Sequence, residues 1–167
     1  MHTERGDIQV AIEIERAPTT AKNFLRYVDN KRFDNINFYR VVKVTPDGKY
    51  GMVQGGQRES SRLFPKIAHE APAKTGISHV DGVISMGRNA PGTAAADFFF
   101  VIGDLTALDG KPDGSDPGYA AFGHVTSGMD VVKAILELPT SQEANNPSMK
   151  GQMLAQPVKI LTVRRVP

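Results

Sequence analysis

Apolar side chains recur at two different spacings along the chain. Ile8, Val10, Ile12 and Ile14 alternate with Gln9, Ala11, Glu13 and Glu15, and a period of two predicts a half-buried strand. From Pro18 the spacing changes. Ala21, Phe24, Leu25 and Val28 fall at i, i+3, i+4 and i+7, which predicts an amphipathic helix. Proline in its first turn is favourable, because the missing donor would have no intrahelical partner there. Residues 38–44 read as a strand with Phe38, Arg40, Val42 and Val44 on one face. Thr45-Pro46-Asp47-Gly48 is a turn signal. Residues 52–54, 83–86, 98–102, 119–125 and 158–166 read as further strands. Residues 87–96, 104–118 and 142–156 read as loops. Residues 129–138 predict a second helix that buries Val131, Val132, Ile135 and Leu138.

Many short strands at close spacing would leave exposed sheet edges. A closed antiparallel barrel capped by helices removes those edges, so the expected fold is mainly β. There is no internal repeat and no linker, and 167 residues suit one domain spanning 1–167.

Composition narrows the chemistry. The chain has no cysteine, which excludes disulfides, thiol nucleophiles and thiolate metal sites. The net charge is +2, and the basic residues read as scattered rather than as a patch, which argues against nucleic acid as a partner. No apolar run approaches the roughly 18 residues that span a membrane. Met1 to Arg5 lack the apolar stretch of a signal peptide, although a processed protein would look the same. Absence of cysteine fits an oxidising compartment, so a periplasmic location with the signal removed is favoured over a cytoplasmic one.

The residues that carry chemistry are few. Arg40 interrupts an apolar face, and a guanidinium there is costly unless paired. It is either a structural ion-pair or edge-strand arginine, or a fixed donor aimed into a cleft. Gln54-Gly55-Gly56 is either a polar turn or a site where Gln54 orients Arg40 and the glycines allow close packing. Phe98, Phe99 and Phe100 must point to both faces of a strand, and Phe99 is either core or pocket wall. Met52 and Leu108 share that ambiguity. The loop from Asp109 to Asp116 invites a calcium reading but fails the EF-hand pattern, with Lys111 at a ligand position and Ala120 where the closing Glu belongs. His2, His69, His79 and His124 lack metal-ligand spacing. Ser60, Ser61 and Ser85 lack the G-x-S-x-G setting of a hydrolase.

Taken in order, the segments resemble the cyclophilin family of peptidyl-prolyl isomerases, with bacterial-like features. Phe38-Tyr39-Arg40-Val41-Val42 is similar to that family's F-H-R-V-I, and Met52-Val53-Gln54-Gly55-Gly56 to its M-x-Q-G-G. Ile84-Ser85-Met86-Gly87-Arg88, Phe98-Phe99, Leu108-Asp109-Gly110 and Phe122-Gly123-His124-Val125 resemble further family segments. The likeness runs from about Gly6 to Val166. It implies an eight-stranded antiparallel barrel capped by two α-helices, and acceleration of rotation about X-Pro bonds in assistance of folding. It implies that Arg40 is the catalytic arginine and Gln54 its support. Met52, Phe99 and Leu108 would form the proline pocket, Gly87 and Arg88 would lie beside the bound peptide backbone, and Tyr119 would stand where many members have histidine. No cofactor and no metal are expected. The partners are proline-containing peptides and unfolded or folding proteins, without nucleic acid or membrane, and the chain is expected to be a monomer.

The chain departs from the family pattern at Asp97, where a glutamine is usual, at Ala107, where well-known members carry tryptophan, and at Gly51, usually a pocket phenylalanine. Tyr50 is a candidate to fill that wall. Asp97 belongs with the substrate-binding residues, where its carboxylate is expected to hydrogen-bond the Arg40 guanidinium or to face solvent. Two alternatives to the enzyme follow from the altered pocket: a module that binds proline peptides with little turnover, and a chaperone or assembly protein that uses only the barrel surface.

Overall fold

The computed structural model describes residues 1–166. In chain order the elements are β1 (His2–Thr3), β2 (Gly6–Asp7), β3 (Gln9–Ile12), α1 (Pro18–Asp29), β4 (Ile36–Lys43), β5 (Gly51–Gly56), α2 (Pro72–Thr75), β6 (Val83–Met86) and β7 (Asp97–Ile102). There follow β8 (Ala120–Ser127), α3 (Met129–Leu136), β9 (Thr140–Ser141) and β10 (Met153–Thr162).

All strands join one antiparallel sheet in the order β2-β1-β10-β4-β5-β7-β6-β8-β3, with the short β9 on β10. The two ends of that order, β2 and β3, are separated in the chain only by Ile8. Ile8 is itself tied to Met1, each donating to the other's carbonyl at 2.9 and 2.8 Å. One bent stretch, residues 6–12, therefore pairs with β1 at its start and β8 at its end. The barrel closes through that bend, and with β2 and β3 taken as one stretch it has the eight strands expected. Closure hides the backbone groups that an open edge would present.

The interior is aromatic. Phe24 of α1 meets Phe33, Phe98 and Phe122 at centroid distances of 5.1 to 5.5 Å, and Phe98 packs edge-on to Phe38 and Phe100. Gly55 makes room for this, since a Cβ there would come within 2.9 Å of the Phe38 ring. α1 packs against β8, and its Phe24 reaches Phe98, the residue opposite Gly55. At the other end of β5 Leu136 of α3 closes over Gly51. The helices thus cap opposite ends of the barrel, with α2 a single additional turn.

Several expectations shift. Ile14 is 46% exposed and Val44 55%. Both lie beyond their strands, because β3 stops at Ile12 and β4 at Lys43. Tyr27, fully buried on α1, is an inward residue that the helical periodicity did not single out. α3 ends at Leu136, short of Leu138. β10 begins at Met153, inside the segment read as loop, and ends at Thr162.

The shift that matters most lies in β4. Phe38 opposes Gly55 and Arg40 opposes Gln54, so β4 takes two steps where β5 takes one. On the other side β10 moves from Val158 to Met153 across the same two residues, and Pro157, which cannot donate to a ladder, sits in that interruption. A bulge of this kind re-aims every later side chain. Phe38 and Val41 point into the core, whereas Arg40 and Val42 point outward. Strict alternation would put Arg40 on the face of Phe38; the bulge puts it on the opposite one.

Candidate active site

The register of five neighbouring strands builds the site. Arg40, Gln54, Phe99, Ser85 and Ala121 oppose one another in a row across β4, β5, β7, β6 and β8. Val42, Met52 and Val101 form the next row. Phe98 and Phe100 fill the interior, and Phe99 between them must face outward. Together Arg40, Met52, Gln54, Gly87, Arg88, Phe99 and Tyr119 line a cleft of about 110 Å³.

Arg40 is held by amides alone. Its Nη1 donates to Gln54 Oε1 at 2.9 Å. Its Nε and Nη2 donate to Gln152 Oε1 at 2.9 and 2.5 Å. A guanidinium carries five N–H donors, so each terminal nitrogen keeps one N–H without a protein acceptor among the described residues. Burial draws the Arg40 pKa down, but a guanidinium remains a cation. Gln152 is the site residue that sequence reasoning missed. It stands just before Met153, which opposes Arg40 across the β4–β10 ladder, and nothing local marks it.

Behind Gln54 runs a directed chain of hydrogen bonds. Gln54 Nε2 donates to the Tyr39 hydroxyl at 2.8 Å, and that hydroxyl donates to Asp97 Oδ1 at 2.8 Å. Asp97 can only accept while ionised, so Tyr39 must donate to it and receive from Gln54. This order fixes the Gln54 amide with its oxygen toward Arg40. Asp97 therefore neither bonds the guanidinium nor faces solvent, the two roles open to it in the sequence. Three hydrogen bonds, through Tyr39 and Gln54, separate it from that guanidinium. Burial raises its pKa, against the Tyr39 bond and the nearby Arg58 charge. Burial likewise pushes the Tyr39 phenol far up, with the Asp97 charge adding to it, so the phenol keeps its proton.

The chain matches the family described as cyclophilin type peptidyl-prolyl cis-trans isomerase/CLD over residues 1–165. It belongs to the cyclophilin-type peptidyl-prolyl cis-trans isomerases. A peptidyl-prolyl cis-trans isomerase of Acinetobacter baylyi is 35% identical over 98% of this chain and 82% of its own length. The peptidyl-prolyl cis-trans isomerase cyp18 of Streptomyces antibioticus is 33% identical over 96% of each. The crystal structure of a Cryptosporidium parvum cyclophilin type isomerase, obtained in the presence of the dipeptide Ala-Pro, superposes with a TM-score of 0.71. It covers 100% of this chain and 98% of its own at 19% identity, a likeness of fold.

Two candidate residues of this cyclophilin stand behind the cleft rather than in it. Leu108 lies on the 3-10 turn Thr106–Asp109, half-buried against the core, and its carbonyl accepts from the Tyr119 N–H at 2.9 Å. Asp97 sits under Gly87, where a Cβ would come within 3.0 Å of the Asp97 Cβ and 3.3 Å of Gln54 Nε2. Gly51 opens no gap in the cleft wall. Its missing side chain would point at Leu136 and the Val42 carbonyl, and Tyr50 packs by Gly103 instead. Ala107 is exposed on its turn. Arg88 donates from Nε to the Gly118 carbonyl at 3.1 Å and lies 4.7 Å from the Tyr119 ring centroid. It ties the loop before β8 to the cleft edge, and Tyr119 meets Phe99 edge-on at 5.6 Å.

Phe99 rests on an unexpected support. His79 stacks on it at 6.1 Å and 14°. One ring nitrogen of His79 meets Asp109 Oδ1 at 2.6 Å and the other Ser85 Oγ at 2.9 Å. This order of serine, histidine and carboxylate imitates a hydrolytic triad, but Ser85 and His79 are both 0% exposed. No substrate reaches the hydroxyl, so the trio braces the cleft floor. Burial lowers the His79 pKa, opposed by Asp109. Among the described residues no group of three or more His, Cys, Asp or Glu could hold a metal ion, and no helix is long and apolar enough to cross a membrane.

Proposed function

We propose that this domain isomerises X-Pro bonds in peptides and folding proteins, with Arg40 as the catalytic group and Gln54 and Gln152 as the residues that position it. The observation that carries the reading is the guanidinium held by three amide-directed bonds, with an N–H on each terminal nitrogen left over at the cleft. The peptide C–N bond resists rotation because of resonance, with a barrier of about 18–20 kcal/mol. A donor placed at the prolyl nitrogen favours a pyramidal nitrogen whose lone pair no longer conjugates with the carbonyl. That bond is stronger in the twisted transition state than in either planar state, which is the condition for catalysis. Met52, Phe99 and Tyr119 hold the ring in an apolar slot while the acyl side turns, with Leu108 bracing Tyr119 from behind. Gly87 and Arg88 border the peptide backbone. The cycle transfers no electrons and no group, so it calls on no cofactor.

A protease-coupled or NMR-exchange assay on an X-Pro peptide tests the reading. Catalysed exchange at micromolar protein supports it. Binding of the peptide with no acceleration would instead identify a proline-peptide-binding module.

A further inference from the structure

Basic residues that read as scattered along the sequence are gathered by the fold beside one end of the cleft. The guanidinium carbons of Arg26 on α1 and Arg32 just after it each lie 3.8 Å from the centroid of the Phe64 ring. The two cations are therefore no further apart than twice that distance. Arg32 donates to the Arg62 carbonyl at 2.9 Å, and Arg62 donates to the Lys31 carbonyl at 2.8 Å. These groups are tied down by an aromatic face and by backbone oxygens, neither of which cancels a positive charge. Among the described residues, no carboxylate forms a salt bridge with Arg26, Lys31, Arg32, Arg58 or Arg62. Of the acids closest in sequence, Asp29 pairs with Arg165 and Asp34 with Arg164 at 2.6 Å; Glu59 keeps its charge but accepts from Ser61 at 2.5 Å and forms no salt bridge with these cations. Asp97 near Arg58 and Asp34 near Lys31 offset the cluster only in part, and an excess of like charge held together costs stability unless something anionic joins it.

The cluster is continuous with the cleft. Gln57, which follows β5, donates to the Arg32 carbonyl at 2.6 Å. Arg58 then lies 4.7 Å from the ring centroid of Tyr39, the residue that orients Gln54. Arg58 and the Arg26–Phe64–Arg32 group are thus tied, through Tyr39 and Gln57, to the end of β5 that carries Gln54.

We propose that this surface receives acidic side chains of the client polypeptide, so that the domain prefers X-Pro bonds flanked by aspartate or glutamate. The inference rests on the isomerase reading of the cleft and adds its substrate class. Guanidiniums preorganised by stacking lose little freedom on meeting a carboxylate, and they offer it paired donors.

The test measures binding of two labelled peptides by fluorescence anisotropy. They share one X-Pro core, with flanking residues that are glutamate in one and glutamine in the other. The wild type should bind the glutamate peptide about tenfold tighter at low salt, the sum of a few exposed ion pairs. The ratio should approach one in Arg26→Gln/Arg62→Gln, fall partway in Arg26→Gln alone, and shrink in high salt. Equal affinities in the wild type would overturn the proposal. So would a single-stranded oligonucleotide that bound more tightly than the glutamate peptide with the same dependence on Arg26 and Arg62. Turnover of the glutamine peptide reports the isomerase reading by itself, so the two failures are distinguishable.

Discussion

Gln152→Ala removes the acceptor of two of the three side-chain bonds that fix Arg40. A buried hydrogen bond to a charged group is worth about 1.5–3 kcal/mol. Arg40 is only half-buried, so water replaces part of what is lost. The remaining Gln54 bond holds one nitrogen and lets the guanidinium swing about it. The expected loss of transition-state stabilisation is about 1–2 kcal/mol, or roughly 5- to 30-fold in kcat/KM. Gln152 does not line the cleft, so the loss should fall on kcat, with KM changed less than about twofold. Isomerisation of an X-Pro peptide by wild type and variant, at matched Tm, gives both constants. Gln152→Asn should recover part of the rate, since it keeps the amide on a shorter arm. A folded Gln152→Ala protein with wild-type kcat would refute the positioning role. A raised KM at unchanged kcat would mean that Gln152 touches the substrate instead.

Three further outcomes are expected. Tyr39→Phe leaves the Asp97 carboxylate without the Tyr39 donor and Gln54 Nε2 without its acceptor, so it should cost about 1–3 kcal/mol of stability and lower kcat; denaturant melts that overlay the wild type would sink the relay. His79 has a pKa held below its usual 6.5 by burial, so the unfolded chain takes up a proton first. Its contribution is present above pH 6.5 and is lost as pH falls toward the lowered folded value; that slope in unfolding free energy should be absent from His79→Asn, and an unchanged slope would count against it. Ala107→Trp should tighten binding of cyclosporin, the inhibitor of the wider family, because it adds an indole donor and ring surface on an exposed turn; equal inhibition of both proteins would contradict this.

What could be read from the sequence was local. Helix α1 follows from a 3.6-residue pattern begun by proline, and β6 and β7 follow from short apolar runs, so their limits were close. Phe99 was ambiguous because three consecutive phenylalanines carry no face information until a partner strand sets the register. Arg40 stood out as a cation in an apolar strand, but its face was misassigned. The bulge at Tyr39 is created by pairing with β5 and β10 and has no local mark. Gln152 was hidden for the same reason. It lies in a polar run, and only the β10 register carries it to Arg40 from 112 residues away. Asp97 attracted notice as a departure from the family pattern, yet its partner proved to be Tyr39, the residue beside the arginine in sequence.

The central claim is that Arg40 supplies the donor that lowers the rotation barrier. The direct measurement is the isomerisation rate of one X-Pro peptide with wild type, Arg40→Ala and Arg40→Lys, each shown to be folded by circular dichroism and Tm. Arg40→Ala should lose about 2–4 kcal/mol of transition-state stabilisation, the scale of one preorganised donor. That is roughly 30- to 900-fold in kcat/KM. Lysine should not restore it, because an ammonium lacks the planar fork that Gln54 and Gln152 hold. A folded Arg40→Ala protein that turns over the peptide at the wild-type rate would contradict the account.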